Sequence, residues 1–406
     1  MKIKHILLII SFILLLAFPS LAVYRTTTPV EYLGIRQMGM GGAGVAVLNS
    51  VETIYLNPAS IVDDGDHFNF PIIPLLITNG TGSVGDDFLT SYNDFKDAWS
   101  ESGDDKTAAT KLFTELVPKS FTVGGSVPFG YVGKSPYPGL GTKMALAGYS
   151  RIAGNFSLFN PVTPRIEYSF KSDLIFGLTF ARIIDKDEKI LPGVKDFAIG
   201  YTIKHINRLS AFDISKDNET AEITVTDIIN DDVYYQYYDA SGWGFDLGFA
   251  GKFDTDLGPG RFGLAFYNIA AYLDGHSFLT TSENSGVEGV VHRQVEPTAK
   301  IGWAIETKLL NTLTNDFFKE PTLVAIDYDI VYPSRSYIKR MHLGFEQPLH
   351  DWLFWQFGLN QGYGTMGIQC RWDAYQLGFA YFTEEAGREV GQQPNGYYLL
   401  NAGLLF

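Results

Sequence analysis

The residues with the most evident chemical promise lie near the start of the chain. Gly39, Gly41 and Gly44 fit G-x-G-x-x-G, the spacing that lets a backbone turn cradle a pyrophosphate. That chemistry needs a strand before the glycines and a helix after them within a βαβ unit, and this context is missing around 34–46, so the dinucleotide reading fails. Small residues in such a run instead let one backbone approach another closely. His342 is the only histidine whose position invites acid–base chemistry, and no nucleophile is placed beside it. No G-x-S-x-G, H-E-x-x-H or P-loop occurs, and the single cysteine, Cys370, excludes a disulfide framework and a cysteine-rich zinc site. No catalytic residue, metal set or cofactor is expected, and the chain reads as a non-enzyme. The acidic stretch from Asp213 to Asp239 has the composition to bind calcium or a partner, but a solvated loop accounts for it as well.

The elements that would position any site follow from composition and pattern. The chain has 406 residues, 46% hydrophobic and 15% aromatic, with 42 glycines and a net charge of −14. Aromatics and glycines at this level favour strands and tight turns over helices, and the acidic balance excludes a nucleic-acid partner. Lys2 and Lys4 precede an apolar block from Ile6 to Phe18 that ends in Pro19-Ser20-Leu21-Ala22, a secretory signal peptide over 1–22. No later stretch is apolar for long enough to span a bilayer as a helix, which leaves a soluble envelope protein or a closed β-barrel.

Alternation with period two runs through the rest of the chain. Trp243, Phe245, Leu247, Phe249 and Phe253 share one strand face, with Gly244, Asp246, Gly248 and Lys252 on the other. Met366, Ile368, Cys370 and Trp372 likewise oppose Gly367, Gln369, Arg371 and Asp373. A soluble sandwich with its apolar face inward fits this pattern equally well. Three features favour an outer-membrane barrel. Trp243, Tyr332, Trp352, Trp355, Trp372 and Tyr375 sit near strand ends, as interfacial girdles do. The polar faces are glycine-rich with charges of both signs. The chain also stops inside an alternating strand bearing Tyr398, Leu404 and Phe406, which resembles the C-terminal signal by which the barrel assembly machinery recognises its substrates.

Fifteen segments qualify as strands, and even parity requires one fewer or one more. The suspect pair is 164–170 and 174–184, separated by Lys171-Ser172-Asp173, and fourteen is the expected number. The fold class is therefore all-β, an antiparallel transmembrane barrel over 63–406 in the cell outer membrane, in contact with outer-membrane lipid. On this reading Phe249→Arg meets lipid, whereas Gly248→Arg escapes that penalty on the lumen face. Residues 79–118 form a long outer loop in which Phe88, Tyr92, Phe95 and Trp99 recur at helical spacing, a candidate contact for a hydrophobic ligand.

The segment 23–62 has no strand-length alternation. Its run Met38-Gly39-Met40-Gly41-Gly42-Ala43-Gly44-Val45-Ala46, followed by Tyr55-Leu56-Asn57-Pro58-Ala59, resembles the opening of the FadL-like outer-membrane superfamily, which includes FadL transporters of hydrophobic compounds, PorV proteins and TraF-like proteins. The resemblance is specific over 34–61. It implies a fourteen-stranded barrel whose lumen holds this segment as a plug, with Asn57-Pro58-Ala59 kinking the chain. It also implies either passive transport of fatty-acid-like molecules or service as a partner of a secretion or surface-attachment protein. Ser60-Ile61 stands where many relatives continue with glycine and leucine, and no ligand specificity carries over residue by residue.

Overall fold

The computed structural model describes residues 25–27, 34–48, 52–79, 97, 120–159, 165–186, 188–211, 221–224, 235–280, 285–309, 318–331, 336–385, 390–391 and 394–405. Fourteen strands build the wall: β1 (His67–Asn79), β2 (Ser120–Lys134), β3 (Lys143–Phe159), β4 (Arg165–Asp185), β5 (Lys195–Ala211), β6 (Tyr235–Thr255), β7 (Gly258–Thr280), β8 (Thr298–Thr307), β9 (Thr322–Val331), β10 (Met341–His350), β11 (Leu353–Asn360), β12 (Tyr363–Trp372), β13 (Tyr375–Glu385) and β14 (Pro394–Leu405). Each pairs antiparallel with its neighbours, and β14 pairs with β1, Tyr398 opposite Thr78 and Leu404 opposite Phe70. That last ladder closes the sheet, so every strand finds partners on both sides and no edge is left to lipid.

The two suspect segments are one strand, β4. Lys171-Ser172-Asp173 has the composition of a turn, yet it sits inside a continuous ladder with β3 and β5. Asp173 points inward and takes a bidentate ion pair from Arg208 of β5, Nε to Oδ1 at 2.6 Å and Nη2 to Oδ2 at 3.0 Å, with both side chains buried. A charged residue is stable in mid-strand there because its partner comes from the next strand, beyond the reach of any local pattern. The stretch 254–260, with its Gly258-Pro259-Gly260, has the composition of a longer turn than the structure contains. The ladder continues through Asp254 opposite Pro259 and Thr255 opposite Gly258, which leaves a two-residue hairpin loop.

Wall height is uneven. Strands β8 to β13 have 8 to 11 residues, about what a tilted strand needs to cross the apolar layer. Strands β3 to β7 have 17 to 23. Residues 272–280 and the short strand Ser285–Val295 form an added hairpin where alternation suggests only loop, and Ala221–Thr224 adds to β4 in the same way. The extra length lies opposite the end that carries the two-residue turns 256–257, 351–352 and 373–374. Such short turns mark the periplasmic end, so the tall wall projects outward.

Burial reverses that of a soluble sandwich. Ile326, Phe345, Phe357, Met366, Leu377 and Leu400 are exposed on the outside, while Gln356, Gln369, Asp327, Asn360 and Glu346 are buried inside. An exterior that is apolar all round belongs in lipid. Trp352, Trp372 and Tyr375, at 44, 74 and 64% exposure, sit beside the periplasmic turns as a girdle, and Tyr332 lies outside the described residues. No described helix is long and apolar enough to cross a membrane.

Candidate functional site in the filled lumen

The interior is occupied by residues 34–48 and 52–64. Two short helices, α1 (Ile35–Gly39) and α2 (Thr53–Leu56), and a 3-10 turn (Pro58–Val62) precede β1. Helices this short cannot hold themselves, since nucleation costs more than one turn of hydrogen bonds returns. Their stability comes from the wall and from each other.

The first part, 34–48, is fastened to the short wall. Arg36 makes a bidentate pair with Glu346 of β10, Nη2 to Oε1 at 2.6 Å and Nε to Oε2 at 2.8 Å, and its Nη1 donates to the Leu48 carbonyl. The N-terminus of α1 has no local cap. The Glu52 carboxylate supplies one from α2's side, accepting the Arg36 N–H at 3.0 Å and the Gln37 N–H at 2.9 Å. Burial pushes the Glu52 carboxyl above its ordinary value, against the opposing pull of those two N–H donors. Gly41 and Gly42, at φ +68° and +86°, end α1 in the left-handed region, their N–H groups donating to Met38 and Gln37 carbonyls. Gly44 and Val45 N–H then donate to one oxygen of Asp327 on β9, at 2.7 and 2.9 Å.

His342 belongs to the same fastening. Its Nδ1 lies 3.0 Å from the Gly41 carbonyl and 2.9 Å from Asn360, and its Nε2 lies 3.3 Å from Asp329, which Lys300 also meets at 3.2 Å. Thr365 donates to the Gly39 carbonyl at 3.0 Å.

The second part, 52–66, packs on the tall wall. Asn57 is extended at φ −156°, as a residue before proline prefers, and Pro58 opens the 3-10 turn with its φ already set. Proline starts the turn, and the holding is done by asparagine. Asn57 Oδ1 accepts the Ala59 N–H at 3.0 Å, and its Nδ2 donates to Val45 O at 3.0 Å and Phe249 O at 3.1 Å. One side chain thus joins the 3-10 turn, the glycine run and β6. Ala59 lies against Ala198 and Ala250, and the Tyr55 hydroxyl donates to carbonyls of β2 and β3.

Wall and segment meet through glycine on both sides. A Cβ on Gly358 would strike Gly41, one on Gly367 would meet Gly39, and one on Gly248 would run into Asn57, Pro58 and Ala59. Gly248→Arg therefore does not escape on the lumen face as alternation alone suggests. It spares the lipid contact but drives into the lumen segment.

Above this segment lies a cavity of about 110 Å³, lined by Tyr55, Gln37, Tyr149, Ile175, Lys204 and Asp246 among others. Lys204 and Asp246 pair at 2.8 Å and Arg208 and Asp173 at 2.6 Å, so these four charges are satisfied within the wall. Between and above them Tyr149, Ile175, Ile206, Tyr238, Leu273 and Val291 form one buried apolar cluster, which Tyr55 touches from the lumen segment.

Sequence reasoning singled out Gly39, Gly41, Gly42, Gly44, Asn57, Pro58 and Ala59, and all seven lie in the lumen segment. It missed Arg36, Glu52, Asp327 and Glu346. Arg36 and Glu52 were open to discovery, because charges inside a segment expected to be buried require partners. Phe88, Tyr92, Phe95 and Trp99, Phe406 and the signal-peptide segment lie outside the described residues. Tyr398 is on the lipid face, stacked on Phe379 at 6.0 Å, and Leu404 pairs with Tyr375.

Closed strands, an apolar exterior and an occupied polar interior define a fourteen-stranded outer-membrane β-barrel. FadL-type barrels are what the chain is similar to, in its opening motif and in several solved structures. It is similar to the TodX deltaS2S3 mutant monoaromatic hydrocarbon channel at 13% identity, over 92% of this chain and 98% of that one, with a TM-score of 0.49. For the Ralstonia pickettii toluene transporter TbuX the identity is 12%, the coverage 92% and 97%, and the TM-score 0.46. For a Pseudomonas aeruginosa FadL homologue the values are 11%, 95% and 99%, and 0.46. No protein-family model and no curated protein matches the chain.

Proposed function

We propose that this barrel passes hydrophobic small molecules, fatty-acid-like or aromatic, passively across the outer membrane, with the lumen segment as its plug. The observation that carries this reading is the apolar cluster on the inner face of the tall wall, from Val291 and Leu273 down to Tyr149 and Tyr55. A channel for hydrophilic solutes gains nothing from burying tyrosines and aliphatics on its lumen face, whereas an apolar ligand gains about 25 cal/mol for each Å² it removes from water there. The plug then stands across the ligand's path. A sideways exit is offered where the β1–β2 ladder lapses between Asn69 and Leu75, a stretch in which Pro71 and Pro74 bring no N–H. The similar channels named for monoaromatic hydrocarbon and toluene transport lend the chain a ligand class to try first.

The test is uptake of labelled toluene and of a labelled long-chain fatty acid by vesicles holding the full-length protein. Uptake above empty vesicles, reduced by Leu273→Gln in the apolar cluster, is the expected result. Equal rates in loaded and empty vesicles, with no lipid or fatty acid retained by detergent-purified protein, would overturn the reading.

A further inference from the structure

Residues 25–27 form a three-residue strand that runs parallel beside the lower end of the outer hairpin, Arg25 opposite Arg293 and Thr27 opposite Val295. The strand Ser285–Val295 therefore has an edge that takes up extended backbone. Above that contact no described strand lies beside 286–291 on this edge. A strand edge left uncovered keeps unpaired N–H and C=O groups and is a template for another strand.

The outward face beside this edge changes character twice with height. Lipid-facing aromatics end at Trp243 opposite Tyr272. Next come Ser241 opposite Asp274 and Asp239 opposite His276, a polar band in which His292 also meets Asp274 at 2.6 Å. Beyond the band the face turns apolar again, with Tyr237 stacked on Phe278 at 5.1 Å and Val287 and Val290 at 61 and 64% exposure. Residues three apart in a regular strand face opposite ways. Here the ladder shifts between Val287 and Gly289, with Glu288 as the extra residue, and both valines turn outward, opposite Phe278 and His276.

Lipid does not account for this patch, because the polar band separates it from the membrane face and the exposed Asp239 and Glu288 repel anionic headgroups. We infer that the outer hairpin is a docking site for an extended segment of a partner protein outside the cell. The segment adds as a strand along 286–291, lays apolar side chains on Val287 and Val290, and brings basic residues to Asp239 and Glu288. Main-chain hydrogen bonds supply the affinity in such an addition, and alternate side chains supply the choice of partner. The site goes beyond the transport reading and does not rest on it.

The test is fluorescence anisotropy of a dye-labelled peptide of four Arg-Thr-Thr repeats, basic and β-branched, titrated with the purified full-length protein. A peptide of Arg-Pro-Thr repeats keeps the charge and loses backbone N–H groups, and one of Glu-Thr-Thr repeats keeps the backbone and reverses the charge. The Arg-Thr-Thr peptide is expected to bind about tenfold more tightly than either. The double variant Val287→Lys with Val290→Lys is expected to weaken that binding about tenfold and to keep its heat-modifiable mobility. Equal binding of the Arg-Thr-Thr and Arg-Pro-Thr peptides would overturn the site, because charge alone then explains it. So would unchanged affinity in the folded double variant. Wild-type dimers that the double variant loses would assign the edge to a second copy of this chain and overturn the partner. Should the double variant not fold, the three-peptide comparison on the wild type decides alone. A failed uptake assay with preserved peptide selectivity would count against transport and leave this site standing.

Discussion

The short wall and the tall wall hold the same lumen segment in different ways. Strands β8 to β13 offer it polar and charged groups: Glu346 to Arg36, Asp327 to Gly44 and Val45, His342 to Gly41, Thr365 to Gly39. Strands β3 to β7 offer mainly small residues and one apolar cluster, pair Arg208–Asp173 and Lys204–Asp246 within the wall, and reach the segment with charge at its end, Lys252 to Asp63 and Lys143 to Asp66, each at 2.6 Å. Directional bonds hold a segment in one place, whereas apolar surface accepts any ligand of suitable size. The difference teaches that one barrel can divide its interior into a side rich in directional polar bonds and a side rich in apolar contact.

The sharpest way to break this division is at the anchor. Arg36→Met leaves Glu346 buried with Gln356 as a donor but without its ion partner, and about 3–5 kcal/mol of docking of the lumen segment should be lost. Hydrogen exchange across 34–48 should accelerate while the wall ladders stay protected, and equal protection in variant and wild type would show that the short wall does not hold the plug. Next comes the pair on the tall wall. Phe249→Arg should cost the barrel about 2–4 kcal/mol near the bilayer midplane. Gly248→Arg should instead leave a heat-modifiable barrel whose plug is susceptible to protease, because its side chain occupies the place of Asn57 and Pro58. If both variants lose the barrel alike, the facing assignment is wrong. Asn57→Ala removes a cap and two bonds to carbonyls, and should lower the melting stability by about 1–2 kcal/mol. Its effect should reach both halves of the lumen segment, since the side chain joins Ala59 in one to Val45 in the other.

The smallest effect expected is a pH slope. Glu52 has a carboxyl raised above its ordinary value of 4.5 by burial. A raised carboxyl takes up its proton more readily in the docked state, so its contribution to docking is fullest below about 4.5 and is lost as pH rises through the raised value. Plug protection in wild type should therefore decline slightly over that window, and Glu52→Gln should remove this part of the slope.

Much of the scaffold was legible in the sequence. Alternation at Trp243 to Phe253 and Met366 to Trp372 separated two faces correctly, and parity pointed to fourteen strands. Strand ends were less legible. The upper parts of β6 and β7, such as Tyr235-Gln236-Tyr237-Tyr238 and Asp274-Gly275-His276-Ser277, continue the ladder without a clean alternation of faces. Alternation reports which environment a side chain meets, while the ladder is made by backbone groups common to all residues except proline. In the site, the glycine run and Asn57-Pro58 stood out as a motif. Asp327 and Glu346 did not, because a single acid on the polar face of a strand looks like any other until its partner arrives from nearly three hundred residues away or more.

By itself, then, the sequence determined that this chain is made of two-faced strands, that one early segment is built for close backbone contact, and that nucleotide, metal and disulfide chemistry have no motif to carry them. The tertiary structure alone decided which face meets lipid, that Lys171-Ser172-Asp173 lies within a strand, and which acids hold the plug. The physical reason is range. Periodicity and turn chemistry act over a few residues along the chain, whereas sidedness and the pairing of buried charges are settled only when the sheet closes and distant residues come within a hydrogen bond of each other.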